Sequence, residues 1–262
     1  MPKFAANLTM LYNEHDFIER FGAAAADGFE AVEYLFPYAY KKELLADLLQ
    51  EHGLTQALHN MPAGDWAGGE RGIGCLPGRE EEFRASVISA IEYATALDSK
   101  RVNCLAGIPP KDAPAGEVRK TFVQNLRHAA PEFAKAGIGL VIEAINTRDI
   151  PGFYLNRSAQ AIELMDEVGS DNLSLQYDFY HMQIMEGDLV PTFRRLKDRI
   201  GHVQIADTPG RNEPGTGEVN YPFVFSALDE AGYDGWIGCE YKPKAATSAG
   251  LGWFKPYRSR SA

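Results

Sequence analysis

The sequence predicts a single (β/α)₈ TIM barrel that occupies residues 1–262, and three observations support this prediction. The length of 262 residues is close to the roughly 250 that one closed α/β barrel needs. Short β-branched or aromatic runs alternate with longer segments of helical periodicity, in roughly eight units. A polar residue closes nearly every apolar run, whereas a strand buried on both faces should otherwise be apolar throughout.

The order of elements follows from these runs. Eight strands are predicted at residues 4–10, 31–36, 55–60, 101–106, 139–145, 173–178, 201–206 and 236–241. Helices are predicted at residues 16–26, 41–52, 80–97, 116–136, 158–168, 181–197 and 221–231, with a last one near 250–257. Glycine follows four of these helices, as is typical of helix ends, at Gly28, Gly53, Gly137 and Gly232. The longest connections, at 61–79, 146–157 and 207–220, follow strands and therefore belong to the catalytic face.

Composition and charge exclude several classes of function. No apolar run approaches the roughly 20 residues that cross a bilayer, and the start has no secretory signal, so we expect no membrane association. Three widely spaced cysteines argue against a disulfide framework and favour a cytoplasmic address. The net charge of −10 disfavours nucleic acid but still allows a small anionic substrate in a locally cationic pocket.

Polar residues at the predicted strand ends should converge on one mouth of the barrel. They are Asn7, Glu33, His59, Asn103, Glu143, Asp178, Gln204 and Glu240. The last four of these are all oxygen donors, and such hard ligands suit Mg²⁺ or Mn²⁺. Without a cation, three carboxylates in one buried mouth would repel each other. The competing interpretation is that these acids pair with arginines or cap helices.

Five stretches of the sequence carry a resemblance to a known family. They are HNMPAGDWAGGERG at 59–72, PGREEEF at 77–83, DFYHMQ at 178–183, EPGTGE at 213–218 and GCEYKP at 238–243. Together they resemble the hydroxypyruvate isomerase family, within the xylose-isomerase-like barrel superfamily. The resemblance implies that Glu143 and Glu240 donate and accept the proton and that these two, with Asp178 and Gln204, hold the metal. Related ketose 3-epimerases have histidine where Gln204 stands, which weakens the epimerase alternative.

The implied reaction converts hydroxypyruvate to tartronate semialdehyde through a cis-enediolate, stabilised by the metal. The substrate carboxylate needs a donor, and the candidates on catalytic-face segments are His59, His181, Arg211 and Lys242, with Arg211 preferred. The alternatives for two of them are a solvated Arg211 and a His181 that only orients Asp178.

Several functional alternatives stay open. The loop 61–79, which contains Trp66, is either a lid over the mouth or a subunit contact in a homo-oligomer. The substrate is hydroxypyruvate or a related acid such as 2-oxo-tetronate. A barrel endonuclease for abasic DNA is a rival of another class, but it would need several zinc ions and many histidines, and this chain has six histidines. A non-catalytic barrel that binds sugar acids is a third possibility.

Overall fold

The protein is a closed eight-stranded parallel barrel, seen in a computed structural model that describes residues 1–258. The predicted fold class is therefore confirmed. The strands run in chain order around the barrel, and the last pairs with the first. They are β1 Lys3–Asn7, β2 Ala31–Tyr34, β3 Thr55–Asn60, β4 Arg101–Cys104, β5 Gly139–Glu143, β6 Leu173–Asp178, β7 Ile200–Ile205 and β8 Trp236–Cys239.

Helices follow the strands and cover the outside of the barrel. They are α1 Arg20–Ala26, α2 Lys42–Glu51, α3 Glu80–Ala96, α4 Ala115–Lys135, α5 Ser158–Val168, α6 Phe179–Met185, α7 Leu189–Leu196, α8 Tyr221–Glu230 and α9 Thr247–Gly250. The single helix predicted at 181–197 is wrong, because Gly187 and Asp188 have φ of +66° and +47° and separate α6 from α7. The last predicted helix is a short α9 followed by two 3₁₀ turns.

Two register shifts interrupt the regular pairing of the strands. Between β2 and β3, Val32 pairs with Gln56 but Glu33 pairs with Leu58, so β3 contains one extra residue. Between β6 and β7, Leu175 pairs with Ile200 but Gln176 pairs with His202. A bulge of this kind changes which side chains face the barrel interior beyond it. The first shift has a direct consequence for the catalytic face.

The hydrophobic core lies mainly between the strands and the surrounding helices. Phe4 on β1 illustrates it, since its ring packs edge-on against Phe225 of α8 and Trp253, at centroid distances of 5.0 and 5.1 Å. Aromatic pairs of this geometry add to the stabilisation that burial provides. The core thus fixes the strands and, with them, the polar residues at their carboxyl ends.

A helix that crosses a bilayer must be both long and apolar. Within residues 1–258, no helix has both the length and the apolar character that a membrane span demands.

Candidate active site

A cluster of buried ionisable side chains lies where strands β5, β6 and β8 end. Glu143 is the last residue of β5, Asp178 is the last of β6, and Glu240 follows β8 directly. His181, in the first turn of α6, completes the cluster. One ligand atom from each of these four residues lies within 4.8 Å of the others, so one small ion fits among them. Three of the four predicted ligands are therefore together.

Two carboxylate oxygens in this cluster have no hydrogen-bond partner among the described residues. They are Glu143 Oε1 and Asp178 Oδ2, both fully buried. A buried oxygen without a hydrogen bond costs free energy, and a buried charge costs more. Two such oxygens pointing into one small space fit a divalent cation with oxygen ligands. The residues present could thus hold a divalent metal ion.

The acids at the mouth titrate abnormally because they are buried beside one another. Burial and the charges of Glu240 and Asp178 raise the pKa of Glu143 well above its usual value. Burial is also the main reason that the pKa of Glu240 rises to about 8 and that of Asp178 to about 6, while the positive charge of Arg211 opposes both shifts. A cation bound among them would lower all three pKa values.

Arg211 reaches the cluster from the loop after β7. Its Nη2 donates to Glu240 Oε2, and its Nη1 lies 3.5 Å from Asp149 Oδ2. The guanidinium lies over the ring of Tyr180, with Cζ 5.0 Å from the ring centroid, which is a cation–π contact. Arg211 is therefore held in the mouth rather than solvated. Its pairing with Glu240 also shows that the competing interpretation, an acid paired with an arginine, applies to one ligand candidate.

His181 presents a hydrogen-bond donor to the carboxylates. Its Nδ1 lies 3.3 Å from the backbone nitrogen of Asn146 and 2.7 Å from that residue's Nδ2. Because a backbone N–H can only donate, Nδ1 is the acceptor and Nε2 carries the hydrogen. Nε2 is 3.5 Å from Asp178 Oδ2 and 3.7 Å from Glu143 Oε1. Burial, followed by the charge of Arg211, holds the pKa of His181 well below its usual value, so the ring is neutral.

Gln204, the fourth predicted ligand, lies on β7 just below the cluster. Its Nε2 donates to Glu33 Oε1 at 2.7 Å, and its Oε1 accepts from Gln176 Nε2 at 2.6 Å. The amide is thus engaged with two neighbours in the barrel interior. Asp178 also has a second task, since its side chain accepts from the backbone N–H of Tyr180 at 2.7 Å and caps α6.

Two of the predicted substrate ligands lie away from the cluster. His59 packs outside the barrel, with its ring 6.2 Å from that of Tyr38. Asn60 lines the mouth instead. The extra residue in β3 shifts the side chain that faces the mouth by one position, from residue 59 to residue 60. Lys242 is exposed, and its backbone N–H donates to the carbonyl of Arg211. A regular alternation of side chains along a strand predicts neither the position of His59 nor that of Lys242.

The cavity above the carboxylates is small, with a volume of about 90 Å³. Its upper walls are largely apolar, formed by Met10, Leu35, Trp66, Leu105, Ile145 and Ile150. Trp66 comes from the loop 61–79 and is fixed between Phe36, at a centroid distance of 4.9 Å, and the guanidinium of Arg71. The loop therefore covers one side of the mouth, and the cavity suits a small substrate.

Comparison with known proteins gives matches along the whole chain. The family model described as xylose isomerase-like TIM barrel matches residues 21–257. A hydroxypyruvate isomerase of Escherichia coli K12 is 54% identical over 258 residues, covering 98% of this chain and 100% of the relative. A 2-oxo-tetronate isomerase of Cupriavidus necator is 53% identical, covering 99% and 100%. A crystal structure described as AP endonuclease, family 2, from Brucella melitensis has a TM-score of 0.97 at 46% identity and covers 99% of this chain and 100% of that chain.

Proposed function

The chain belongs to the xylose isomerase-like TIM barrel family, and from that premise we propose that it is a hydroxypyruvate isomerase. It would interconvert hydroxypyruvate and tartronate semialdehyde. The observation that supports this most strongly is the meeting of Glu143 and Glu240 with Asp178 around one buried space. Two carboxylates within reach of the same small molecule can remove a proton from one carbon and return it to the next.

The reaction moves one hydrogen between neighbouring carbons. A glutamate removes a proton from C3, the electron pair of that bond forms the C2–C3 double bond, and negative charge develops on the C2 oxygen. Return of a proton to C2 forms the aldehyde at C3, while the hydroxyl proton passes from the C3 oxygen to the C2 oxygen. Either Glu143 or Glu240 can serve as the first base. The Nε2–H of His181 supplies a hydrogen bond to the charge that develops.

The ion held here would be Mg²⁺ or Mn²⁺, with Glu143, Asp178 and Glu240 as ligands, because all three offer hard oxygen atoms. When bound, such an ion acts as a Lewis acid that polarises the substrate oxygens. Gln204 lies next to these ligands and stays a predicted fourth one. His181 is better assigned as a donor, since its Nε2 carries a hydrogen and has no lone pair for a metal.

The substrate carboxylate would bind Arg211, whose guanidinium is the cation that lines the mouth. Planar guanidinium groups match carboxylates with two parallel hydrogen bonds. The apolar walls beside it would exclude water from the enediolate. A small acid fits this cavity, and 2-oxo-tetronate, the four-carbon acid in the name of the relative from Cupriavidus necator, is the alternative to hydroxypyruvate. A cytoplasmic enzyme is proposed with this function, since all three cysteines are buried free thiols.

Proton NMR of hydroxypyruvate in heavy water tests the proposal directly. With protein and Mg²⁺, we expect the C3 proton signal to be lost faster than in a protein-free sample, and product deuterated at C2 to appear. Parallel samples with 2-oxo-tetronate rank the two substrates, and turnover of the larger acid alone would change the assignment. Exchange at C3 no faster than in the protein-free sample would refute hydroxypyruvate as the substrate.

An abasic-site endonuclease is the second candidate, because the Brucella melitensis structure that matches so well is described in that way. All six histidines lie within residues 1–258, and one of them, His181, belongs to the mouth cluster. Such a site is poor in ligands for several zinc ions, and a net charge of −10 opposes binding to DNA. Nicking of abasic DNA in zinc buffer, without isomerase turnover in Mg²⁺, would favour this candidate.

A further inference from the structure

A completely buried glutamate lies beneath the cluster and takes no part in the chemistry described so far. Glu33, on β2, accepts hydrogen bonds at Oε1 from Asn7 Nδ2 at 2.9 Å and from Gln204 Nε2 at 2.7 Å. Its Oε2 lies 2.7 Å from His202 Nε2. A carboxylate can accept all of these bonds, whereas an amide of the same shape would place one donor against another.

The barrel makes room for this carboxylate on β8. A Cβ atom on Gly238 would lie 2.3 Å from both oxygens of Glu33, closer than any side chain tolerates. Gly238 is therefore needed for space, since its backbone does not require glycine. The strand that presents Glu240 two residues later thus also accommodates Glu33.

One chain of hydrogen bonds runs from Glu33 toward Glu143. Because Glu33 only accepts, it turns the Nε2 of Gln204 toward itself and leaves the Oε1 of that amide to accept from Gln176. The side chain of Gln176 lies beside Glu143 and opposes the rise in its pKa, while Glu143 Oε2 accepts from Asn103 Nδ2 at 3.1 Å. The orientation of each amide is set by the one before it, so Glu33 determines which atom of Gln176 faces Glu143.

A second chain joins Glu33 to Glu240 through Asn7. The Oδ1 of Asn7 accepts from the backbone N–H of Thr9 at 3.1 Å, which fixes the amide so that Nδ2 points inward. That Nδ2 donates to Glu33 Oε1 and lies 3.4 Å from Glu240 Oε1. Each of the two glutamates assigned to proton transfer therefore lies beside an amide of the network around Glu33.

We propose that Glu33 is a positioning residue that holds both Glu143 and Glu240 in place through the amides of Asn7, Gln204 and Gln176. The inference rests on the proposed function for the roles of the two glutamates. It differs from a purely structural role, in which a buried hydrogen-bonded group stabilises the fold and has no specific effect on the mouth. Supporting residues that orient metal ligands typically change metal affinity by about 10–100-fold when substituted.

The first test compares Glu33→Gln with a matched control, Glu186→Gln. Glu186 accepts hydrogen bonds from the backbone and hydroxyl of Ser158, both at 2.8 Å, and so caps α5. Free Mn²⁺ is measured by electron paramagnetic resonance during titration of each purified variant. Glu33→Gln should weaken Mn²⁺ binding by about 10–100-fold and lower kcat with little change in KM, whereas Glu186→Gln should bind as the wild type does. Wild-type affinity in Glu33→Gln would overturn the proposal.

A double-mutant cycle separates the relay from a general loss of stability. Gln176→Met removes the amide at the far end of the relay, and Gln204 connects that amide to Glu33. In a relay, the double variant should lose little more Mn²⁺ affinity than the worse single variant, because either change already breaks the chain. If the factors by which the two single variants lose Mn²⁺ affinity multiply in the double variant, the two residues act independently and there is no relay. If Glu33→Gln does not fold, Gln176→Met tests the relay by itself. Wild-type Mn²⁺ affinity in Gln176→Met would then refute the relay.

The proposal and the proposed function can fail separately. Wild-type turnover of hydroxypyruvate tests the function, whereas the ratio of Mn²⁺ affinities tests the relay, whatever the substrate. If the wild type binds no Mn²⁺, the relay is tested by the side-chain amide signals of Gln204 and Gln176 in nitrogen-15 NMR spectra. These signals should shift in Glu33→Gln and stay unchanged in Glu186→Gln, and unchanged signals in both would overturn the inference.

Discussion

At the scale of single residues, the mouth of the barrel holds more acidic than basic groups. Arg211 donates to Glu240, while Glu143 and Asp178 each keep one oxygen without a hydrogen bond among the described residues. His181 is neutral, and its Nε2 carries a hydrogen. The acids surround a space that fits one ion, and a divalent cation there would keep them charged, which explains the residues better than ion pairs do.

Replacement of either glutamate by glutamine should stop the reaction without unfolding the protein. Glutamine preserves shape but cannot take up a proton, and general acid–base groups contribute about 10²–10⁴-fold to rates. We expect kcat of Glu143→Gln and of Glu240→Gln to fall by at least about that factor, since both residues are also proposed metal ligands, as measured in a steady-state assay with hydroxypyruvate. Circular dichroism checks the fold, and near-normal turnover in either variant would remove that residue from the chemistry.

Site residues at the ends of strands could be predicted from the sequence more reliably than site residues in loops. Glu143, Asp178 and Glu240 each follow an apolar strand, so their position at the mouth is a consequence of the barrel itself. Asn146 and Asp149, which contact His181 and Arg211, lie in an irregular loop whose path no periodicity encodes. Their polar side chains also suit an exposed turn, so residue type alone does not identify them.

At the scale of elements, the loop 61–79 is docked against the end of β4 through two glycines. A Cβ on Gly72 would lie 2.5 Å from the carbonyl oxygen of Leu105, and one on Gly107 would lie 2.2 Å from that of Gly72. The backbone N–H of Gly74 also donates to the Leu105 carbonyl at 3.3 Å. This contact fixes the part of the loop that carries Trp66 into the wall of the cavity.

Two alanine substitutions within this loop should therefore behave differently. Gly72 and Gly69 both have positive φ, +119° and +103°, but only the added Cβ at position 72 meets another residue within 4 Å. Gly72→Ala should displace the loop and raise KM about 10-fold or more, a loss of roughly 1.4 kcal/mol in binding. Gly69→Ala should show only a modest fall in thermal stability. Equal KM values for the two variants would show that the loop does not form the cavity wall.

Local breaks in regular structure account for the elements that sequence periodicity misjudged. The apolar spacing of residues 181–197 continues across Gly187 and Asp188, so the end of α6 is hidden from any periodic pattern. The extra residue in β3 is equally invisible, since it depends on pairing with β2. It directs Asn60 rather than His59 to the mouth. Both errors arise from backbone geometry that tertiary contacts determine.

At the scale of the whole molecule, the barrel brings together acids that are far apart in the sequence. Glu33 and Glu240 are both joined to Asn7, although 207 positions in the chain separate them. The fold class was predictable because eight alternations of strand and helix leave few other arrangements. The depth of the polar network in the barrel interior was not predictable, because the contacts in that network depend on how the strands pair.

The burial of these acids should make the stability of the metal-free protein fall as pH rises. The folded-state pKa of Glu240 is about 8 and that of Glu143 is also raised, so the folded protein holds protons that the unfolded chain has released. The contribution of Glu240 to stability is then lost as pH rises from about 4.5, its ordinary pKa, to about 8, its folded-state pKa, and the interval from pH 7 to pH 8 is part of this loss. Buried His59 and His181, whose pKa values are lowered, do not interfere there, because they are neutral in both states above about pH 7.

Thermal denaturation in chelator, followed across this range, checks the expectation. The Tm should decrease from pH 7 to pH 8 in the wild type and should change less in Glu240→Gln. Saturating Mn²⁺ should abolish the decrease, because the ion favours the charged carboxylates. A Tm that rises with pH in chelator would mean that these acids are already stabilised as anions without a metal.

Anomalous diffraction from a crystal grown with Mn²⁺ would locate the ion that the three carboxylates are proposed to hold. We expect a single strong manganese peak between Glu143, Asp178 and Glu240, with carboxylate oxygens about 2.0–2.6 Å from the ion, the range of hard divalent cations. The site should contain no peak in a crystal of Glu143→Gln prepared in the same way. A wild-type crystal with no manganese at these three carboxylates, or with manganese bound only elsewhere, would show that they do not form the metal site.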